Sequence, residues 1–232
     1  MYGLGKLGGA GWGGFFADCV RVPFADHMLI HVPEGVDPAA VASADNIPDG
    51  YRTVAPHLAA RPGARVLIVG GGLPSVGLYA AASALALGAG GVDYVDRDEA
   101  RLDLARRIGA TALHARAWRR KERYPITVDA SAHPAWLERA LRATEPGGVC
   151  TSAGIYFSRR TPMPLLAMYM TGVTFITSRI NASAELPGVL ELVQKRRLLP
   201  EAVTTRRAAW QDAPEALLDR GAKVVLTRAV RG

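Results

Sequence analysis

The chain has 232 residues, of which 49% are hydrophobic and 21% are charged. These values exclude a disordered or fibrous chain and predict a packed fold of one large domain, or of one domain with a smaller companion. Its 28 Lys and Arg against 21 Asp and Glu leave a net charge of +7, which favours an acidic ligand such as a dinucleotide but suits nucleic acid or simple solubility as well.

The pattern of the first residues does not predict a targeting signal. Residues 1–14 contain seven glycines and little apolar surface, which predicts a loop and does not match a signal peptide. The longest apolar stretch, residues 76–87, is too short to cross a bilayer. Cys19 and Cys150 lie far apart, and neither belongs to a CxxC or Cys/His cluster, so no disulfide framework or zinc ribbon follows. We expect a cytoplasmic protein without a membrane partner.

The next segment predicts two strands and a short helix. Phe15 to Val22 and Met28 to Val32 have the apolar content of strands. Asp37 and Pro38 indicate a helix start, with Asp37 as the N-cap and Pro38 as the first helical residue.

From Arg65 onward, short β-rich runs alternate with helical segments, as is typical of βαβ units and a parallel sheet. The predicted strands are Arg65 to Val69, Gly91 to Val95, Ala112 to His114, Ile126 to Ala130, Gly148 to Ala153, Thr174 to Thr177 and, last in the chain, Ala222 to Thr227. The predicted helices are Ser75 to Leu87, Glu99 to Ile108, Pro134 to Ala143 and Pro187 to Arg197. The predicted fold class is α/β, a doubly wound parallel sheet of the Rossmann type.

The stretch RVLIVGGGLPSVG, residues 65–77, reads as a buried strand that runs through glycines into a helix. A pyrophosphate needs backbone N–H groups and the positive end of a helix dipole, and a Cβ at the turn would hold it away. Gly70 is predicted to permit the tight turn, Gly72 the close approach, and Gly77 the packing of helix on strand. Pro74 stands where the central glycine of G-x-G-x-x-G is expected, so a glycine turn without a ligand is the alternative.

An acidic residue in register favours the ligand. Asp96 ends the next predicted strand, 19 residues after Gly77, where a carboxylate accepts both hydroxyls of an adenosine ribose. A carboxylate there repels a 2′-phosphate, which favours NAD over NADP. Arg97 follows and either softens that preference or is a surface arginine without a ligand role.

A basic run raises the question of nucleic acid. It comprises Arg116, Arg119, Arg120, Lys121 and Arg123, with Trp118 inside it. Trp118 is able to stack on a base, but a solvated connection leading to the strand near Tyr124 is the interpretation that we favour. We expect no nucleic-acid partner.

Between Phe15 and Arg228 the sequence resembles the medium-chain, zinc-type alcohol dehydrogenases. Besides the glycine turn, the similar segments are residues 13–23 (GGFFADCVRVP), 43–51 (SADNIPDGY), 96–101 (DRDEAR), 107–110 (RIGA), 203–206 (VTTR) and 212–216 (DAPEA). The resemblance implies that Val76 contacts the cofactor, that Asp96 holds the ribose and that Arg101 lies over the adenosine. It also implies that the ends of the fifth and sixth strands flank the nicotinamide.

Those two strand ends correspond to residues 152–154 and 178–179, and a surface ion-pair partner is the alternative for Arg179. The predicted cofactor-binding residues are therefore Gly70, Gly72, Ser75, Val76, Gly77, Asp96, Arg101, Ala153 and Arg179.

At the zinc site the sequence departs from the family that it resembles. Family members place a GroES-like domain, whose Cys and His-Glu residues hold a catalytic zinc, ahead of the nucleotide-binding fold. We expect this chain to lack most of it, with residues 1–45 as a remnant, 46–205 as the NAD-binding Rossmann domain and 206–232 as a return to the remnant. Asp45 falls where the family's last zinc ligand lies, but zinc chemistry needs about three protein ligands. The five histidines are not spaced as a ligand set, so we expect no metal.

The leading functional hypothesis is a truncated, NAD-dependent oxidoreductase that transfers hydride between NAD and an alcohol or aldehyde. The substrate is expected near Asp45, Tyr51 and Arg179, with Tyr51 as a hydroxyl donor. The alternatives are a non-catalytic NAD-binding or interaction protein and a methyltransferase that uses S-adenosylmethionine. Pairing of the sixth strands, as in the family, implies a homodimer, and the apolar faces left by the missing domain are expected to be exposed or covered by a partner.

Overall fold

The computed structural model describes residues 14–118 and 122–228. The chain divides into two compact units, Met1–His31 and Val32–Gly232. Most of the predicted loop over residues 1–14 lies outside the described part. Among the described residues, no helix combines the length and the apolar content that a membrane span requires.

The described part of the first unit contains one short helix, α1 (Ala25–Met28). The predicted strands from Phe15 to Val22 and from Met28 to Val32 are wrong, because neither run forms a ladder with a described strand. A strand without a partner leaves its backbone groups unpaired, whatever its side chains favour. Apolar side chains here are exposed, including Phe16 at 58% and Phe24 at 77%.

The second unit contains a six-stranded parallel sheet with the order β3-β2-β1-β4-β5-β6. The strands are β1 (Arg65–Val69), β2 (Gly91–Asp96), β3 (Thr111–His114), β4 (Tyr124–Asp129), β5 (Thr144–Ser152) and β6 (Thr174–Thr177). Strand order reverses between β1 and β4, so a crevice opens there at the carboxyl ends of the strands. The predicted doubly wound α/β fold is confirmed.

The second unit also contains helices. They are α2 (Asn46–Arg52), α3 (Ala55–Ala60), α4 (Pro74–Ala86), α5 (Glu99–Ile108), α6 (Pro134–Ala143), α7 (Leu165–Thr171), α8 (Ala182–Gln194) and α9 (Ala213–Ala216). The chain also forms β7 (Arg206–Ala209) and β8 (Val224–Thr227), which pair in parallel as a separate two-stranded sheet.

The core has two clusters of buried side chains. Val66 and Ile68 of β1 belong to one cluster, and Leu67 and Val69 belong to the other. Alternate residues of a strand face opposite sides of a sheet, so β1 is buried on both faces, as parallel strands usually are. This double burial explains the uninterrupted apolar run before the glycines.

Two predicted helices differ from the structure. The helix predicted at Asp37 is wrong: the Asp37 carboxylate accepts the Ala39 N–H at 2.8 Å, but only a turn forms. So short a segment gains too few helical hydrogen bonds to offset nucleation. Pro187 does not start α8 but lies inside it, because the N–H groups of Ala184 and Glu185 already bond to the Asn181 carbonyl. That preceding turn needs no N–H from the proline.

Helix α4 is almost wholly buried, because α2 crosses its outer side. The crossing depends on Gly50, where an added Cβ would lie 2.6 Å from the Ala80 backbone nitrogen and 2.8 Å from the Tyr79 Cβ. Helices approach this closely only where one side chain is absent.

Gly50→Ala is therefore expected to lower the free energy of unfolding by about 1–3 kcal/mol, the usual effect of overpacking. Urea denaturation followed by circular dichroism measures it. The matched control is Gly91→Ala, where the nearest atoms to an added Cβ lie 3.9 Å away. Equal stability of the two variants would contradict the close crossing.

Candidate functional site

The glycine turn connects β1 to α4 at the point where strand order reverses. Gly71, with φ +145°, adopts the backbone conformation that favours glycine, so the turn depends on Gly71 and not on Gly70 as predicted. Gly70 is needed for a different reason. A Cβ there would collide with the Tyr94 hydroxyl and lie 2.6 Å from Oδ2 of Asp96.

The turn is bonded to the loop that follows β4. The N–H groups of Gly72 and Leu73 donate to the carbonyls of Ser131 and Ala130, both at 3.0 Å. A Cβ on Gly72 would lie 2.8 Å from the Ser131 oxygen. Gly72 is therefore required for the close approach of two segments of the protein, whether or not a ligand is bound.

The amino end of α4 leaves two N–H groups without a partner in the helix. Pro74 is the first helical residue, where a helix leaves the N–H unpaired in any case, so the proline removes little. The N–H groups of Ser75 and Val76 lie in the same first turn and have no acceptor within the helix. Gly77 lies against the sheet: its Cβ would be 3.2 Å from the Ala130 Cβ.

Asp96 ends β2 beside the turn, with a side chain that is only 1% exposed. Its Oδ2 accepts Nε of Arg101 at 2.9 Å and the Tyr94 hydroxyl at 3.1 Å. Its Oδ1 accepts Nη2 of Arg101 at 2.7 Å and the N–H groups of Arg97 at 2.6 Å and Asp98 at 3.1 Å. Arg101 thus holds the carboxylate through two parallel bonds.

These hydrogen bonds determine the ionisation of Asp96. Burial raises the pKa of this carboxyl, but the Arg101 guanidinium and the N–H groups of Asp98 and Arg97 outweigh burial. The pKa therefore lies below its usual value of 3.8. Asp96 is a carboxylate at neutral pH, and its negative charge is compensated.

A cavity of about 180 Å³ opens between the turn and Asp96. Gly70, Asp96 and Arg101, all predicted from the sequence, line it. The residues that sequence reasoning missed include Ser131, His133 and Trp136, which follow β4. Their position after β4 could have indicated them, because β4 lies beside β1 across the switch point.

Asp129, the last residue of β4, is a fully buried carboxylate that connects the loop after β4 to the end of β5 and the segment that follows it. It accepts the hydroxyls of Ser131 at 2.5 Å, Ser152 at 2.7 Å and Tyr156 at 2.7 Å, and the Ser131 N–H at 3.1 Å. Hydroxyl groups and an amide N–H thus satisfy the hydrogen bonds of this buried carboxylate. None of these partners is a cation. Asp129 therefore orients the loop that binds the glycine turn.

The predicted nicotinamide-side residues lie at the ends of neighbouring strands. Ser152 of β5 pairs with Thr177 of β6, and Ala153 follows Ser152, with its N–H bonded to the Asp129 carbonyl at 3.0 Å. Arg179 is exposed and follows Ser178. Its predicted alternative role is not seen, since none of the described carboxylates forms an ion pair with it.

Asp45 and Tyr51, two of the three residues predicted near the substrate, lie at opposite ends of α2. Asp45 is the exposed N-cap residue of α2, next to Asn46, whose amide donates to the Ser75 hydroxyl at 2.8 Å. This bond brings the start of α2 to the amino end of α4. Tyr51 lies at the other end, and an added Cβ on Gly188 of α8 would be 2.6 Å from its hydroxyl. Burial, followed by nearby carboxylates, raises the pKa of Tyr51.

The basic run is divided by the limits of the described residues: Arg119, Arg120 and Lys121 lie outside them. Trp118 is 6% exposed and packs in the core beside Trp136. Nη1 of Arg123 donates to the Thr144 carbonyl at 3.0 Å. Trp118 is therefore not on the surface as a base-stacking platform.

A sequence model of the family described as "Zinc-binding dehydrogenase" matches residues 75–195. The chain belongs to the zinc-binding dehydrogenase family. The resemblance to the zinc-type alcohol dehydrogenases is confirmed. In the parts of this family member that the structure describes, no three His, Cys, Asp or Glu side chains cluster as metal ligands. The described residues therefore do not fit a zinc site.

Individual relatives agree with the family. "Probable zinc-binding alcohol dehydrogenase" of Mycobacterium tuberculosis is 30% identical over 220 residues, which are 92% of this chain and 55% of the relative. The solved structure of alcohol dehydrogenase TADH from Thermus sp. ATN1 is 28% identical with a TM-score of 0.84, over 93% of this chain and 66% of that one. An alcohol dehydrogenase from E. coli CFT073, complexed with NADH, shares the fold at 22% identity and a TM-score of 0.73, over 85% of this chain and 62% of that one. This family member thus spans about half to two thirds of their length.

The Asp96–Arg101 pair predicts a loss of stability in acid. Since the folded-state pKa lies below 3.8, the contribution is complete above that pH and is lost as the pH falls through the folded-state value. Arg101→Gln is expected to lower the free energy of unfolding at pH 7 by about 1.5–3 kcal/mol. It is also expected to make stability less dependent on pH below about pH 4.

Urea denaturation between neutral and acidic pH measures both effects. The control is Arg142→Gln, which removes the exposed pair with Glu138 and is expected to change stability by less than about 1 kcal/mol. Parallel pH profiles for the wild type and Arg101→Gln, with equal free energies of unfolding at pH 7, would show that the pair does not stabilise the fold.

Proposed function

We propose that this chain is an NAD-dependent oxidoreductase of the medium-chain type that transfers hydride between NAD and an alcohol or aldehyde. The observation that supports this proposal most directly is the position of Asp96. Asp96 lines a cavity at the switch point together with residues of the glycine turn and of the loop after β4. This is where a doubly wound sheet binds the ribose of a dinucleotide.

The chain's own residues would bind the cofactor in three places. The N–H groups of Ser75 and Val76, at the positive end of α4, would bind the pyrophosphate. Asp96 would accept the ribose hydroxyls, which requires them to share its oxygens with Arg101. When bound, NAD supplies the atom that accepts or donates the hydride.

The nicotinamide end is proposed to lie beside Ala153 and Arg179, at the carboxyl ends of β5 and β6. Asp45, at the start of α2, is the proposed substrate-side carboxylate, since the Asn46–Ser75 bond holds that end of α2 to α4. A substrate role for Tyr51 stays a prediction, because its hydroxyl faces Gly188 of α8.

Titration calorimetry of the full chain with NAD tests the cofactor. Asp96→Asn is expected to weaken NAD binding about tenfold or more, because hydrogen bonds to a charged group are worth more than neutral ones. Asp103→Asn, on the exposed side of α5, is the matched control and is expected to leave affinity unchanged. Equal affinity for the two variants, or no NAD binding by the folded wild type, would reject the assignment.

Measurements of turnover and of thermal stabilisation by ligands, added to the calorimetry, distinguish the two other function classes. NAD affinity without oxidation of any alcohol or reduction of any aldehyde would support a non-catalytic NAD-binding protein. Thermal stabilisation by S-adenosylmethionine, with none by NAD, would support a methyltransferase.

We also propose a homodimer. β6 is an edge strand of the sheet, and α7, which precedes it, exposes Leu166 at 76% and Tyr169 at 84%. An open edge beside an apolar face is typical of an interface.

Light scattering coupled to gel filtration is expected to give a dimer that Leu166→Asp converts to a folded monomer. Leu218→Asp, at a site that is 80% exposed elsewhere in the chain, is the control and should remain dimeric. A monomeric wild type would refute the proposal.

A further inference from the structure

Helix α2 is held by side-chain hydrogen bonds at both of its ends. At its amino end, the Asn46 amide donates to the Ser75 hydroxyl of α4 at 2.8 Å. At its carboxyl end, Arg52 donates to Ser178, the first residue after β6. α2 thus joins the amino end of α4, where the pyrophosphate is proposed to bind, to the carboxyl end of β6, where the nicotinamide is proposed to lie.

The guanidinium of Arg52 is fixed by bonds on two sides. Its Nη1 donates to the Ser178 hydroxyl at 3.1 Å, and its Nη2 donates to the Ser178 carbonyl at 3.0 Å. Its Nε donates to Oδ1 of Asp49 at 2.6 Å, within the same helix. The side chains of Arg52 and Asp49 are only 10% and 16% exposed. A planar group held in this way keeps one orientation, which points its free edge at Ser178.

The segment after β6 has no secondary structure of its own. Ser178 and Arg179 are exposed and belong to neither a helix nor a strand. Exposed connecting segments are more mobile than the elements that they join, so bonds from a neighbouring element determine how well they are placed. The two bonds from Arg52 supply this restraint directly before Arg179.

α2 also has a fixed position relative to α4. The bonds at Asn46 and Arg52 are six residues apart, which is about 9 Å along a helix. Between them, Gly50 packs so closely on α4 that an added Cβ would lie 2.6 Å from the Ala80 nitrogen. A ligand that is bound at two separated points gains full affinity only when both sets of contacts are held in place together. α2 fixes the separation of the two ends of the site.

We propose that Arg52 is a positioning residue for the nicotinamide end of the cofactor. By holding Ser178 to α2, it places the segment that carries Arg179 at a fixed distance from the pyrophosphate end of the site. Arg52 acts through this segment and does not itself contact the cofactor. The inference rests on the proposed dinucleotide function and deepens it.

Calorimetry of the full chain with NAD and with ADP-ribose, which lacks the nicotinamide ring, tests the proposal. Arg52→Gln is expected to weaken NAD about tenfold and to change ADP-ribose by less than about twofold. The reason is that the proposed contacts of ADP-ribose, at Asp96 and at the start of α4, do not depend on the segment after β6. Arg52→Lys keeps the charge but loses the two-pronged bond to Ser178, so it is also expected to weaken NAD, by about threefold or more.

The matched control is Arg61→Gln. Arg61, the C-cap residue of α3, pairs with Glu145 and donates its Nη2 to the Gly147 carbonyl at 2.6 Å. These bonds are of the same kind as those of Arg52, but they lie in the first half of β5, away from the carboxyl ends of the strands where a doubly wound sheet binds its ligand. Both affinities are expected to stay unchanged.

Three results would overturn the inference and leave the proposed function intact. They are equal weakening of NAD and ADP-ribose by Arg52→Gln, which indicates a general loss of structure, an NAD affinity that Arg52→Gln does not change, and full NAD affinity in Arg52→Lys, which would mean that charge alone is sufficient. If the folded wild type does not bind NAD, the proposed function itself is rejected. Should Arg52→Gln fail to fold, Ser178→Ala removes the Nη1 bond alone and is expected to weaken NAD about threefold without affecting ADP-ribose.

Discussion

The backbone of the glycine turn is hydrogen-bonded on both sides, and the rest of the site depends on this. The Gly70 N–H donates to the Val95 carbonyl at 2.8 Å, while Gly72 and Leu73 donate to the loop after β4. Three strands meet at these few bonds, because β1 lies between β2 and β4. Any side chain at Gly70 or Gly72 would separate them, so the glycines are required by the protein before any ligand is considered.

Two buried carboxylates stand on either side of the turn, and their surroundings differ. Asp96 is compensated by a guanidinium and by backbone N–H groups, whereas the side chain of Asp129 accepts hydroxyl groups and one N–H. The guanidinium partner compensates the charge of a buried carboxylate that lines a cavity. Hydroxyl partners fix the positions of loops without adding a charge to the crevice.

The sequence-based predictions succeeded where local pattern and tertiary role coincide. The bounds of β1, β6, α5 and α6 agree with prediction, since apolar runs, proline starts and glycine ends act locally. The strand predictions over residues 15–22 and 28–32 failed because a strand exists only with a partner. The helix start predicted at Pro187 was wrong because a proline often begins a helix but does not exclude a preceding helical turn.

The sequence by itself determined the Rossmann class, the glycine turn and the acid at Asp96, because spacing along the chain is sufficient to place a strand, a turn and a helix in order. Only the tertiary structure decided that Arg101 binds Asp96, that Gly71 rather than Gly70 carries the turn, and that Tyr51 faces α8. It also brought Arg52 to Ser178 at the end of β6. These contacts join residues from different strands and helices, and their distances depend on packing that no local pattern records.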